Sequence, residues 1–457
     1  MTDSIIPELP AEVLERVFSV GRPDRVFAKP LLDAADRLRC QLVCKAWRYA
    51  LDPERWPLGE LQLEAQHAAA VPPAALWMQH MRPAVRELDI RLDVPVGYLE
   101  DGETPITSDS PAVQAVHDVL LALQPVGALH ALSLTARFPV LERFLPDLGR
   151  FTGLRRLTLS DGGFLQLWHI ADVAGNVLGP SLLRHLPPQL ERLTITSLRA
   201  VRLEPLQGSE AEQLDPATTG GGGTPHLLQQ VVKLEFEGCR DVVVDMPLPR
   251  LEVLSIMFSR RYSLAGARLW LPQLTRLELW DSARTASLRG SAMPALAQLS
   301  CDSRRRANDS FAALQQLTHL DLELSEESPQ SGSALVAGVA LTLRSLTVTA
   351  PRRHFDEAAC GEACAQVAAS ATQLTHLEVD GWACLQRLPS WPHLQELRLL
   401  HVTPYGITPQ QLALLVAPPS LRHVAFSRCP VPAFRALEDE RLEELCRALP
   451  NCLVEAV

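Results

Sequence analysis

Between residues 251 and 324 one apolar signature returns with little variation: Leu251-x-x-Leu254-x-Ile256, Leu274-x-x-Leu277-x-Leu279, Leu296-x-x-Leu299-x-Cys301 and Leu317-x-x-Leu320-x-Leu322. Counting Val231 ahead of them, the starts lie 20 to 23 residues apart, and this period constrains the fold more than any other feature. In such a core a short strand turns its fourth and sixth residues to one side and its third and fifth to the other. A single unit cannot bury its own leucines. Stacked units can, so the expected architecture is a solenoid of parallel strands with one broad open face.

The signature also occurs at Val85-x-x-Leu88-x-Ile90, Leu129-x-x-Leu132-x-Leu134, Leu154-x-x-Leu157-x-Leu159 and Leu190-x-x-Leu193-x-Ile195, and continues from Leu343, Leu374, Leu394 and Leu421. The pattern resembles the leucine-rich repeat. That resemblance implies an α/β horseshoe of about 13 repeats over 59–457, with a parallel sheet on the concave face and returns through short helices or irregular turns. Helical composition falls at 355–371 and 408–416, and Phe434 to Leu449 reads as a capping helix. Two insertions are expected to be flexible: acidic 97–111, and 204–226 with its four consecutive glycines from Gly220. No Gly-Lys-Ser/Thr follows those glycines, so they are not read as a phosphate cradle.

The first 58 residues have a different character. A proline at a first helical position, Pro7 or Pro10, precedes an apolar stripe at Val13, Leu14, Val17 and Phe18. A second amphipathic stretch runs from about Asp36 to Leu51, and Trp56 follows a turn at Asp52-Pro53. Helices with more apolar face than so small a unit can bury suggest a docking module. Leu9-Pro10, then Glu12, Leu14 and Phe18, then Val43-Cys44-Lys45-x-Trp47 and Trp56 resemble the F-box, with a long Gly21–Ala35 connection between the two halves. The resemblance implies that Leu9, Pro10, Leu14, Phe18, Val43 and Trp47 contact a Skp-type adaptor. Through it the chain would join a cullin-RING scaffold as the substrate-recognition subunit of an SCF-type ubiquitin ligase. The alternative is a repeat scaffold that recruits no ligase.

A net charge of −10 argues against a surface built for non-specific nucleic-acid binding. The longest uncharged apolar run, Ala334 to Leu343, is too short to span a bilayer, and Met1 to Ile6 shows no secretory pattern. Ten cysteines without dense, even spacing fit a reducing compartment, so a cytoplasmic or nuclear location is expected.

No catalytic motif emerges: His-Glu-x-x-His, Gly-x-Ser-x-Gly and Cys-x-x-Cys are all missing from the sequence, and neither enzyme activity nor a cofactor is expected. The nearest metal-like set is His354, Asp356, Cys360 and Cys364, with its cysteines one helical turn apart. Like Cys40 and Cys44, these are better read as packing residues. The open face is more informative. Its fifth-position row reads Glu235, Ser255, Glu278, Ser300, Asp321, Thr347 and Glu378. Just past the strands stand Arg240, Arg260, Arg261, Arg284, Arg305 and Arg306, with Met257 and Trp280 beside them; Glu326 and Glu327 interrupt the column before Arg352 and Arg353. Arginine forks match carboxylate and phosphate oxygens. Arg260, Arg261, Arg284, Arg305 and Arg306, with Trp280 and Glu278, are therefore the expected contacts for a protein substrate, acidic or phosphorylated in its bound segment.

Overall fold

A computed structural model describes residues 61–64, 86–92, 113–114, 117–118, 120–121, 129–136, 138–162, 177–179, 184–204, 228–259, 261–264, 270–280, 293–302, 314–324, 333, 336–350, 357–400, 402, 407–427 and 435–456. The F-box-like segment 1–58 and the insertion 97–111 lie outside them, as does 204–226 apart from Glu204. Contacts divide the chain into two units, 1–176 with 182–193, and 177–181 with 194–457.

In the first unit, β1 (Leu61–Glu64), β2 (Glu87–Arg91), β3 (Ala131–Ala136) and β4 (Arg156–Asp161) pair in parallel and in that order. Leu88, Leu132 and Leu157 stand opposite one another, as do Ile90, Leu134 and Leu159. All six are buried. Helix α1 (Phe138–Leu148) connects β3 to β4 and buries Phe138, Val140, Leu141, Phe144, Leu145 and Leu148. Their spacing of three and four residues is that of one helical face.

The second unit takes in 177–181 and then resumes within β6 (Arg192–Thr196). A parallel ladder runs from β6 through β8 (Lys233–Glu237), β10 (Val253–Met257), β12 (Arg276–Trp280), β13 (Gln298–Asp302), β14 (His319–Glu323), β15 (Ser345–Thr349), β16 (His376–Asp380), β17 (Glu396–Leu400) and β18 (His423–Phe426) to β19 (Leu453–Ala456). Leu254 is opposite Leu277, Leu277 opposite Leu299, and Leu299 opposite Leu320, as the repeat requires. The row continues through Leu346, Leu377, Leu397 and Val424. A second row, from Ile256 through Leu279 and Cys301 to Leu322, lies two residues on and is equally buried. Each such leucine contributes roughly 2 kcal/mol of apolar burial. This long parallel sheet in an α/β chain is consistent with a leucine-rich-repeat solenoid. Beyond the strands expected from the signature, the ladders gain β1 and β19 at their ends; neither carries the full apolar pattern.

Two hydrogen-bond devices repeat along the ladders. Before several strands a turn closes from an apolar residue to the first leucine: Leu251 N–H donates to Leu248 O at 3.2 Å, Leu274 to Leu271 at 3.3 Å, Leu296 to Met293 at 3.3 Å and Leu394 to Trp391 at 3.1 Å. Pro249, Pro272, Pro294 and Pro392 occupy the second position of these turns, where a fixed φ is an advantage. Next, the amides of the second and third residues of a repeat converge on one carbonyl of the preceding repeat: Thr275 and Arg276 on Glu252 O, Thr318 and His319 on Ala297 O. The Thr275 and Thr318 hydroxyls add bonds to the same two carbonyls.

The structure also adds a second parallel sheet that the sequence reading did not anticipate: β5 (Val177–Leu178), β7 (Ala200–Leu203), β9 (Asp241–Val244) and β11 (Arg261–Ser263), ordered β5-β7-β9-β11. Val201, Leu203, Val242, Val244 and Tyr262 point inward and are buried. Where an arginine-lined loop was expected after β8 and β10, these repeats turn into a further short strand.

The expected helices occur as α2 (Glu357–Ala368), α3 (Pro409–Ala413) and α4 (Arg435–Ala448). Helix α3 opens with a capping box in which the Thr408 side chain accepts from Gln411 N–H and the Gln411 side chain accepts from Thr408 N–H. A 3-10 helix (Ala383–Ser390) leads into Trp391, which is fully buried and donates from Nε1 to Ala368 O at 3.0 Å. Helix α2 passes close to the sheet at Gly361, where an added Cβ would lie 3.4 Å from Asp380 O.

Candidate binding faces

On the second unit, the fifth-position residues form the row read from sequence: Glu235, Ser255, Glu278, Ser300, Asp321, Thr347 and Glu378 stand opposite one another strand by strand. Adjacent strands lie about 4.8 Å apart, so a run of carboxylates in one row would be unfavourable. The third-position row supplies counter-ions: Lys233 pairs with Glu235 at 2.7 Å and Arg276 with Glu278 at 2.5 Å. Arg398 reaches Glu378 at 4.0 Å. Asp321 sits midway, with His319 rather than a lysine or arginine at the third position of its strand. Burial and the charges of Glu378, Glu323 and Glu278 push its carboxyl up to about 6.

Glu278 and Trp280 are therefore on β12, both half-buried, the first ion-paired and the second opposite Met257. Met257 is also half-buried. The next residue, Phe258, is 48% exposed in a positive-φ conformation (55°) and donates its N–H to Trp280 O at 2.8 Å. Arg261 opens β11 opposite Asp241, and Arg240 immediately precedes β9. Arg260, Arg284, Arg305 and Arg306 lie outside the described residues, as do the adaptor-facing Leu9, Pro10, Leu14, Phe18, Val43 and Trp47. The structure thus brings Glu278, Trp280 and Met257 together and places Arg261 in the second sheet.

Of the metal-like set, Cys364 is buried in α2, the Cys360 side chain is not described, and His354 and Asp356 lie outside the described residues. Burial pushes the Cys239 thiol up to about 12, and it raises Cys301 and Cys384 likewise. Raised, enclosed thiols are poor nucleophiles, so these cysteines act as small core residues.

A further feature was not found from the sequence. In the first unit, a cleft of about 410 Å³ opens at the start of β2, β3, β4 and β6 and is lined by Arg86, Glu87, His130, Arg155, Arg156, Glu191 and Arg192. The shared-carbonyl device positions these groups: His130 and Ala131 donate to Arg86 O, Arg155 and Arg156 to His130 O, and Glu191 and Arg192 to Arg155 O. Arg155 pairs with Glu191, and Arg156 with Glu87. Arg86 and Arg192 are exposed, and among the described residues neither pairs with a carboxylate. A second cleft of about 300 Å³ adjoins it, sharing Glu87 and Arg156, and is lined further along the strands by Asp89, Ser133 and Thr158.

Residues 6–56 match the F-box-like family. A search of curated proteins found no match to the chain.

Proposed function

We propose that this chain is the substrate-recognition subunit of an SCF-type ubiquitin ligase and is not itself catalytic. F-box domains generally bind Skp-type adaptors, and the match over 6–56 supports that role here. Leu9, Pro10, Leu14, Phe18, Val43 and Trp47 make the adaptor contact, and the adaptor brings the cullin-RING scaffold. The parallel leucine ladders are read as a leucine-rich-repeat domain whose open face holds the target. The observation that carries the reading is this pairing of an F-box-like segment with a long in-register repeat sheet in one chain. The chemistry is positioning: a held target presents its lysines at high effective concentration to the ubiquitin-bearing enzyme. Four free, buried cysteines, Cys239, Cys301, Cys364 and Cys384, support a reducing location in cytoplasm or nucleus.

The arginines after the strands, Arg260, Arg261, Arg284, Arg305 and Arg306, with Trp280 and Glu278, are proposed to receive an acidic or phosphorylated segment of the target. Reversing Arg260, Arg261, Arg305 and Arg306 to glutamate should reduce target capture, and unaltered capture would end that part of the reading. The adaptor role is tested by co-purifying the intact chain with a recombinant Skp-type adaptor, beside a Leu14→Asp, Trp47→Ala variant. Stoichiometric recovery with the natural chain and loss with the variant is expected. Failure of the natural chain to retain adaptor would favour the rival reading, an interaction scaffold without ligase recruitment.

A further inference from the structure

We propose that the first unit carries a phosphopeptide site in the paired clefts at the start of β2, β3, β4 and β6, with the phosphoryl group held by Arg86, Arg155, Arg156 and Arg192. The inference rests on the receptor reading above and names a ligand chemistry for part of the surface that holds the target. It concerns residues other than the arginine column after the strands.

Charge is the first argument. Four arginines against Glu87 and Glu191 leave a net charge of +2 around one cleft of about 410 Å³. A phosphomonoester carries roughly −1.5 to −2 at neutral pH, so one such group balances the site, whereas a single carboxylate leaves it half neutralised. The two intramolecular pairs, Arg155 with Glu191 and Arg156 with Glu87, hold their guanidiniums in place before any ligand arrives. The other two, Arg86 just before β2 and Arg192 at the start of β6, are exposed and have no carboxylate partner among the described residues. Planar forks suit the oxygens of phosphate in bidentate contact.

Two buried polar atoms without a partner among the described residues belong to residues that line these two clefts. His130, which lines the arginine cleft, has its Nδ1 buried with no hydrogen-bond partner among the described residues. Asp89, which lines the adjoining cleft, is only 8% exposed; its Oδ2 takes Arg91 at 2.8 Å, and its Oδ1 is buried with no donor among the described residues. A buried acceptor left unmatched is costly, and a donor on a ligand would remove that cost. Asp89 lies two residues beyond Glu87 on the same side of β2, about 7 Å along the strand. An extended peptide covers that distance in two residues, so the ligand is a phosphorylated residue followed two positions later by a donor side chain such as lysine. Ser133 and Thr158 offer hydroxyls in the same cross-strand row as Asp89. The chain's net charge of −10 disfavours the rival polyanion, a nucleic acid.

The test is direct binding to the purified full chain. A fluorescent peptide carrying phosphoserine-glycine-lysine in a glycine-alanine background is compared with its unphosphorylated parent, with inorganic phosphate as competitor and with a single-stranded RNA oligomer. The expected result is phosphopeptide binding at least about tenfold tighter than the parent. Arg86→Glu with Arg192→Glu should remove that preference, because among the described residues neither forms an ion pair. Asp89→Asn should weaken the lysine peptide more than a matched alanine peptide. Equal binding of the parent, competition by inorganic phosphate at the peptide's own affinity, tighter binding of RNA, or indifference to the double reversal would each overturn the proposal. Adaptor binding is measured on the same samples: if it persists while the peptide fails, the inference alone falls, and if the peptide binds while the adaptor does not, the receptor reading falls.

Discussion

Asp321 shows how a single position reports on the face around it. Its carboxyl titrates near 6 in the folded chain against an ordinary 3.8, first because it is partly buried and then because Glu378, Glu323 and Glu278 share its surroundings. Between those two values the folded state binds more protons than the unfolded one, so stability falls as pH rises from about 4 to about 6 and the deficit persists above that. Asp321→Asn should therefore stabilise the chain at pH 7 by about 1 kcal/mol, after allowing for the screening of a half-exposed group, and change little at pH 4. Denaturant melts of the two proteins at both pH values check this, and a variant less stable at pH 7 would contradict it. Trp391 makes the opposite case, a residue whose polar atom is fully satisfied. Trp391→Phe removes one of the two bonds to the Ala368 carbonyl, which still accepts from Ala371 N–H, and leaves a gap, and should cost about 1–3 kcal/mol in the same melts.

At the scale of the element, the leucine ladder carries the stability, and the residues that alternate with it do not. Leu277→Ala, in the middle of the buried row, should cost about 2–5 kcal/mol, whereas Glu278→Ala one residue on should stay within about 1 kcal/mol. Comparable losses would refute the alternation. This alternation could be read from sequence because each repeat restates it, and Leu254, Leu277, Leu299 and Leu320 do align. The second sheet was harder to see because its strands are two to four residues long. The run Val242-Val243-Val244 was its one β-branched signal. The Pro249, Pro272, Pro294 and Pro392 turns were written just as plainly, one residue after the apolar position that accepts the turn bond. The arginine cleft is hidden in the sequence for a different reason: Arg86, Arg155 and Arg192 come from separate repeats and stand just before or at the start of their strands, whereas the arginine column follows the strands. Only the shared-carbonyl turn, a backbone feature, brings them together.

At the scale of the whole molecule, the proposed tasks fall on different stretches of sequence. The F-box-like match occupies 6–56, and the repeat ladders begin at Leu61. Stability in stacked repeats is a sum of nearest-neighbour contributions, so substitutions on the open face should leave distant strands folded. Under this account adaptor binding and target binding are separable properties of one polypeptide. Raising ionic strength should weaken the capture of a phosphorylated target through Arg86 and Arg192 far more than an apolar adaptor contact at Leu14 and Trp47, because exposed charges are screened over about 10 Å at 0.1 M salt. The most direct measurement is quantitative interaction mass spectrometry on the intact chain, on Leu14→Asp with Trp47→Ala, and on Arg86→Glu with Arg192→Glu, each expressed in the cells that make it. The account predicts that the first variant loses the Skp-type adaptor and cullin while keeping its targets, and that the second keeps adaptor and cullin while losing phosphorylated targets. Loss of both classes from either folded variant, or of neither class from both variants, would contradict it.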